Sequence, residues 1–346
     1  MNNPDYLAIL NGIKKEAPDN QNRNNRVLVV DSMNTFLRCF SIVHVMNING
    51  HHVGGLTGFL KSLGYAIKLI QPTRVILVFD GIGSSHNRKN LFPDYKANRG
   101  GKRITNWDGF DSRDDESESM SAQMGRLIEY LNELPVNMSV IDKVEADDVM
   151  AYCAHQLAND NSHVTLMSSD QDFLQLISKN VSVYSPTKKK IYTPALVKNE
   201  YDISAINFLT QKILMGDKSD NIPGVLGLGP KKLLKNFPEL REDKLFSLQE
   251  VYDKCLENQE SLIPSRILDF KYQLEINRQL MDLHNPNIPE NDKNDIDKML
   301  AGDINKLNAT SFIKMYEEDS LQRSFPNVEY WLNECFRNLN YYSDKK

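Results

Sequence analysis

Four short apolar runs in this sequence end in acid. Val27-Leu28-Val29-Val30 runs into Asp31, Val75 to Phe79 into Asp80, and His163 to Met167 into Ser168-Ser169-Asp170-Gln171-Asp172. Val136 to Ile141 leads, a few residues on, into Glu145-Ala146-Asp147-Asp148. Seven carboxylates gathered at one place would repel one another and raise one another's pKa unless cations balanced them. Carboxylate oxygens are hard ligands that suit Mg²⁺. Two such ions about 3.5–4 Å apart can stabilise both the attacking and the leaving oxygen of a phosphoryl displacement. The chemistry in view is metal-assisted hydrolysis of a phosphate ester. Any single acid among them could instead be a helix cap, and Glu145 to Asp148 a helix start favoured by the backbone dipole. The shared ending of four separate runs is what favours a metal site.

Acids so far apart need a scaffold with a common edge. β-Branched runs without polar alternation predict strands buried on both faces, hence a mostly parallel sheet. Helical stretches at Leu56–Ile70, Ser121–Leu134 and Asp147–Ala158 alternate with them, so residues 26–200 predict an α/β domain flanked by helices. In open sheets of this kind ligands bind beyond the carboxyl ends of the strands, where these acids stand. Residues 1–25 predict an N-terminal extension with a short helix at Tyr6–Lys15. After about residue 200 the strand signal stops, and 201–346 predicts a helical C-terminal lobe. Within it, Met215 to Lys232 predicts two helices joined by a tight glycine-rich turn.

The order and wording of these motifs resemble the flap endonuclease, or 5′-3′ exonuclease, family. They are Asp31-Ser32-Met33-Asn34, Phe79-Asp80-Gly81, Tyr95-Lys96-Ala97-Asn98-Arg99, Glu145 to Asp148, Ser169-Asp170-Gln171-Asp172-Phe173, and Gly216-Asp217-Lys218-Ser219-Asp220-Asn221-Ile222-Pro223-Gly224. Tyr95 to Gly100, the following Trp107, and Lys143 to Asp148 resemble the tailed-phage ribonuclease H branch most. The similarity spans residues 26–240, with a weaker echo at Asn277-Arg278-Gln279-Leu280.

That resemblance implies a PIN-like 5′ nuclease core and a helix–three-turn–helix at about 205–240. It implies Asp31, Asp80, Glu145, Asp147, Asp170 and Asp172 around a first metal, Asp148 in support, and Asp217 and Asp220 facing a second. Two Mg²⁺ ions are expected, with Mn²⁺ able to substitute, and K⁺ held by carbonyls of the turn. The expected activity removes 5′ ends, flaps and RNA primers from DNA or RNA–DNA duplexes, by in-line attack of a metal-activated water that leaves a 5′-phosphate. A single-stranded-DNA-binding protein is an expected partner. A monomer in the cytoplasm is expected, of the host cell if the chain is phage-encoded.

Residues 86–103 carry six Lys or Arg against one Asp. A 5′ end needs cations to grip it and an aromatic surface for an exposed base. By resemblance Arg88, Lys96 and Arg99 meet the scissile or adjacent phosphate and Tyr95 the unpaired nucleotides, in an arch over about 84–125. The run Asp111 to Glu118, five acids against one Arg, departs from that picture and predicts a solvated, mobile segment. Gly227, Gly229, Lys231 and Lys232 suit duplex binding, because glycines let backbone N–H groups approach phosphate while lysines add charge. His51 and His52 are expected at the surface, Trp107 and Trp331 in packing, and Lys188 to Lys190 in a hairpin turn rather than a DNA contact.

The net charge of −5 argues at first against a nucleic-acid partner. Setting the nine assigned carboxylates aside from 46 acids leaves 37 against 41 basic residues. No apolar run approaches the roughly 20 residues that cross a bilayer, so no membrane is expected. Cys39, Cys153, Cys255 and Cys335 form no closely spaced pair, which disfavours zinc and predicts reduced thiols. Asp31-Ser32-Met33-Asn34 lacks the glycines that a dinucleotide pyrophosphate requires after the first strand. The remaining rival is a degenerate relative that binds branched DNA without cutting it; keeping all nine acids argues against it.

Overall fold

The computed structural model describes residues 22–99, 105 and 109–343. The expected helix at Tyr6–Lys15, Trp107, and the cations Lys102 and Arg103 lie outside the described residues. For Arg99 only the backbone is described.

Six strands, β1 (Arg26–Asp31), β2 (Arg74–Asp80), β3 (Asn137–Ile141), β4 (His163–Met167), β5 (Val181–Ser185) and β6 (Lys190–Tyr192), form one sheet in the order β3-β2-β1-β4-β5-β6. All neighbours are parallel except β5 and β6, which run antiparallel through the hairpin containing Lys188 and Lys189. The central strands bury both faces. Val27 and Val29 join Ile76, Val78, Val164 and Leu166 in one core. Leu28 and Val30 join Val75 and Leu77 in the other. Side chains alternate across a strand, so an unbroken apolar run is what a sheet covered on both sides demands.

The first core extends into the helical lobe through Phe208, Ile213, Leu233 and Phe237. The second holds the helices Ser32–Ile42 and Gly54–Ile70 together with the last two of the chain, Ala309–Glu318 and Val328–Ser343. Those C-terminal helices therefore cover the α/β sheet. Arg74, fully buried at the start of β2, ties the lobe to the sheet from below. Its guanidinium donates to Asn137 Oδ1 at 3.0 Å and to the carbonyls of Met299 and Leu300, at the C-terminal end of the helix Glu290–Ala301, where the helix dipole favours a cation.

Two expectations about local structure are corrected. The acidic run is not a mobile segment: Ser112 caps the helix Arg113–Asn132 in a capping box with Asp115. Asp114, Asp115 and Glu116 occupy its first turn, where the helix dipole favours anions. His52 is buried, not at the surface. Its ring lies edge-on to Phe40 and Phe110, bonded to the Val43 carbonyl and to Gln123. His51 is exposed and Trp331 is buried in the second core, both as expected.

Candidate functional site

The parallel register lines up the carboxyl ends of β1, β2 and β4, pairing Asp31 with Val78 and Val30 with both Leu77 and Met167. Asp31 and Asp170 each also cap the segment that follows them, while Asp80 reaches across to the helix that follows β3. Asp31 accepts from Asn34 N at 3.0 Å at the start of its helix and from Ser168 Oγ at 2.9 Å. Asp80 accepts from Ala146 N at 3.0 Å, fixing the helix Ala146–Leu157 against β2. Asp170 accepts from Asp172 N at 2.9 Å.

These acids act on one another. Burial, and then repulsion from Asp80 and Asp170, holds Asp31 up at about 7. Burial raises Asp147 well above the ordinary carboxylate range, with Asp170, Asp31 and Glu145 adding to it. Asp172 is likewise pushed up to about 7 by burial and by Asp170.

Cations of the protein interleave with the carboxylates. Arg88 Nη1 lies 2.7 Å from Glu145 and 2.9 Å from Asp148, and its Nε donates to the Leu280 carbonyl at 2.9 Å. Burial works against the charge on Arg88, but Asp148 and Glu145 outweigh it. Lys96 Nζ and the Tyr95 hydroxyl both donate to Glu145, at 3.0 and 3.1 Å. Burial alone would raise Glu145; Arg88 and Lys96 hold it below the usual range. Asp148, 3% exposed, accepts from Asn287 N at 3.0 Å and stands behind this group.

The helical lobe folds back onto the same edge. Lys212, in the helix Phe208–Met215, sits 2.7 Å from Asp172 and also pairs with Asp217, so one ammonium links the two halves of the molecule. Asp220 accepts a long hydrogen bond of 3.4 Å from the Tyr95 hydroxyl, and its carbonyl takes the Lys96 amide. The turn that makes this possible needs two glycines. Gly216 has φ +70°, and a Cβ there would stand 2.4 Å from Gly224 N. A Cβ on Gly224 would stand 2.0 Å from the Met215 carbonyl. Asn277, fully buried, clamps the same turn by donating to the carbonyls of Ile213 and Pro223.

All nine acids thus line one edge or its supports, but they do not close a cage. Among the described residues, no group of three or more His, Cys, Asp or Glu side chains is set to hold one ion. Asp31, Glu145, Asp148 and Asp220 are buried. Cavities of about 690 and 630 Å³ lie elsewhere, beside His52 and Arg126 and beside His155 and His284; neither is lined by any of the nine.

Arg88 and Tyr95 lie otherwise than expected. Both are buried, at 9% and 3% exposure: Arg88 is paired with Glu145 and Asp148, and the Tyr95 hydroxyl is bonded to Glu145 and Asp220. Lys96 stays at the rim with one-fifth of its side chain exposed. Sequence reasoning missed Lys212 and the clamp by Asn277, although Asn277 stood in the weaker echo.

The raised carboxylates predict a pH signature. In EDTA the folded chain keeps protons on Asp31 and Asp172 up to about 7, whereas the unfolded chain releases them near 3.8. Stability is then fullest below that lower value and drains away as the pH rises through about 7. The slope is about 1.4 kcal/mol per pH unit for each such group. Thermal melts in EDTA should fall between pH 5 and 8, and MgCl₂ should restore more at pH 8 than at pH 5. A flat profile in EDTA refutes the crowding of acids.

A mostly parallel α/β sheet with acids along its carboxyl edge and a helical lobe folded over them is a fold found among solved structures. The flap endonuclease of bacteriophage T5, solved as a complex with DNA and metal ions, matches with a TM-score of 0.60 and 19% identity, over 85% of this chain and 97% of that one. Residues 26–202 match the model for the 5′-3′ exonuclease N-terminal resolvase-like domain. The 5′-3′ exonuclease of Bacillus subtilis (strain 168) is 33% identical over 274 residues, 75% of this chain and 84% of that protein. DNA polymerase I of the same organism is 30% identical over 266 residues, 75% of this chain and 28% of the polymerase. The chain belongs to the 5′-3′ exonuclease and flap endonuclease family, and is a hydrolase of phosphodiesters.

Proposed function

We propose that the chain is a divalent-metal-dependent 5′ nuclease that binds DNA and RNA–DNA duplexes and cuts them at 5′ ends, flaps and nicks, as primer removal in replication requires. The observation that carries this reading is the mutual repulsion of Asp31, Asp80, Asp147 and Asp170 at one sheet edge. The donors fit Mg²⁺, and Mn²⁺ in its place: all are carboxylate oxygens, without sulfur or imidazole. Mg²⁺ keeps several waters of its own, so part of this carboxylate set would reach an ion through water. Asp31, Asp80, Glu145, Asp147, Asp170 and Asp172 would hold a first ion, with Asp148 behind them, and Asp217 and Asp220 would face a second. When bound, such ions lower the pKa of a bound water and offset charge on the attacking and leaving oxygens.

The protein's own groups supply the rest. Lys96, at the rim on Glu145, would meet a phosphate, and Arg99, three residues on, would join it. Arg88 and Tyr95 keep Glu145 charged and fixed. Lys212 holds Asp172 beside Asp217. Gly227, Gly229, Lys231 and Lys232 would grip the duplex backbone without reading its sequence, with K⁺ on carbonyls of the same turn. Monomeric action in the cytoplasm, a place in phage replication and docking by a single-stranded-DNA-binding protein belong to the same proposal.

The test is a product assay on labelled flap, nicked and RNA-primed duplexes, with Mg²⁺ and with EDTA. Fragments should be released from the 5′ side and only with metal. Undiminished cutting in EDTA, or loss from 3′ ends alone, overturns the reading.

A further inference from the structure

The turn before the helix Pro230–Asn236 is not closed by its own residues alone. Arg266 reaches it from the helix Leu262–Asp269, well beyond the glycine-rich motif. That helix is anchored by Ile263, Pro264 and Ile267, all buried, while Arg266 is half-buried on its flank. Arg266 Nη1 donates to the Leu226 carbonyl at 2.9 Å. Gly227 has φ +77°, and the point where a Cβ would stand lies 3.0 Å from Arg266 Nη1 and 3.9 Å from Lys232 Nζ. Two cations therefore converge over a residue with no side chain. Among the described residues no carboxylate pairs with Arg266, Lys231 or Lys232. Like charges held together without a counterion are costly, and an anion placed between them relieves that cost.

We propose that Arg266 and Lys232, set around Gly227, form a binding site for one phosphate of the duplex backbone, with Arg266 as its fixed member. One N–H of the guanidinium is spent on the Leu226 carbonyl, which orients the fork. Its remaining donors match the geometry of a phosphate. Gly227 keeps the space open, since any side chain there would meet the guanidinium. This inference rests on the proposal that the glycine-rich turn grips duplex. It gives the helices after residue 245 a part in holding DNA.

The experiment compares the full chain with the variants Arg266→Gln, Arg266→Lys and Lys231→Ala. Binding to a labelled nicked duplex is measured by anisotropy in EDTA over a range of KCl concentrations. Glutamine keeps a polar side chain but carries no charge. Arg266→Gln should weaken binding about tenfold, equally for unrelated sequences, and lower the slope of log affinity against log salt by about one. Arg266→Lys should recover most of both. If Lys231→Ala binds weakly with a reduced slope while Arg266→Gln behaves as wild type, the inference falls and the duplex role of the turn stands. If both bind as wild type, both fall. If Arg266→Gln weakens binding with the slope unchanged and a lower melting temperature, Arg266 merely braces the turn and the inference is overturned.

Discussion

The Asp147→Asn variant should lose cleavage almost completely while still binding forked DNA, and it should melt at a higher temperature than the wild type in EDTA. Asp147 stands where the fields of Asp170, Asp31 and Glu145 meet. An amide of the same shape is neutral at every pH, so it escapes the cost of burying or protonating a carboxylate there. Without metal this stabilises the fold. With metal it takes away a ligand, and if several kcal/mol of transition-state stabilisation depends on the ions, the rate falls about a thousandfold. The two readouts move in opposite directions, which a simple loss of structure cannot produce. Cleavage at the wild-type rate would remove Asp147 from the centre altogether.

Arg88→Met should be among the most damaging changes to stability. It leaves Glu145 and Asp148 buried without their shared guanidinium, and breaking a buried ion pair by removing one partner costs about 3–5 kcal/mol. The loss should shrink at low pH. Glu145 is held below its usual range largely by Arg88 and Lys96 against burial, so without Arg88 it protonates more readily. Urea unfolding at pH 5 and pH 8 measures both effects. A difference from wild type under about 1 kcal/mol at pH 8 contradicts the bracing role. The triple change Arg88→Met, Glu145→Gln and Asp148→Asn should recover most of the stability.

The sheet and its acids were legible because each announces itself locally. A run such as Val75 to Phe79 admits few alternatives to a doubly covered strand, and the acid after it lands at the edge whatever the rest of the chain does. Asp217 and Asp220 could be assigned only through family resemblance, since nothing local says that the lobe folds back. Lys212 was illegible for a related reason. One lysine in an apolar helix looks like a surface residue until Asp172, forty residues earlier in the chain, is brought beneath it. Arg88 and Tyr95 misled because a basic, aromatic segment carries the same composition whether it faces DNA or braces a buried glutamate. The acidic run was misread through its charge: Ser112 with Asp115 three residues on was a capping signal, and local hydrogen bonding outweighed composition. His52 gave no sign of burial, its partners Phe40, Phe110 and Gln123 being distant in sequence.

The final helix has a consequence for how such a molecule is made. Leu28 and Leu339 belong to one core, and Gly64 leaves room for the indole of Trp331, which would otherwise stand 2.2 Å from a Cβ there. The strands and helices that leave the ribosome early thus keep one flank uncovered until residues 309–343 have been made. Contacts of this sequence span are slow to form, so this core is sealed late.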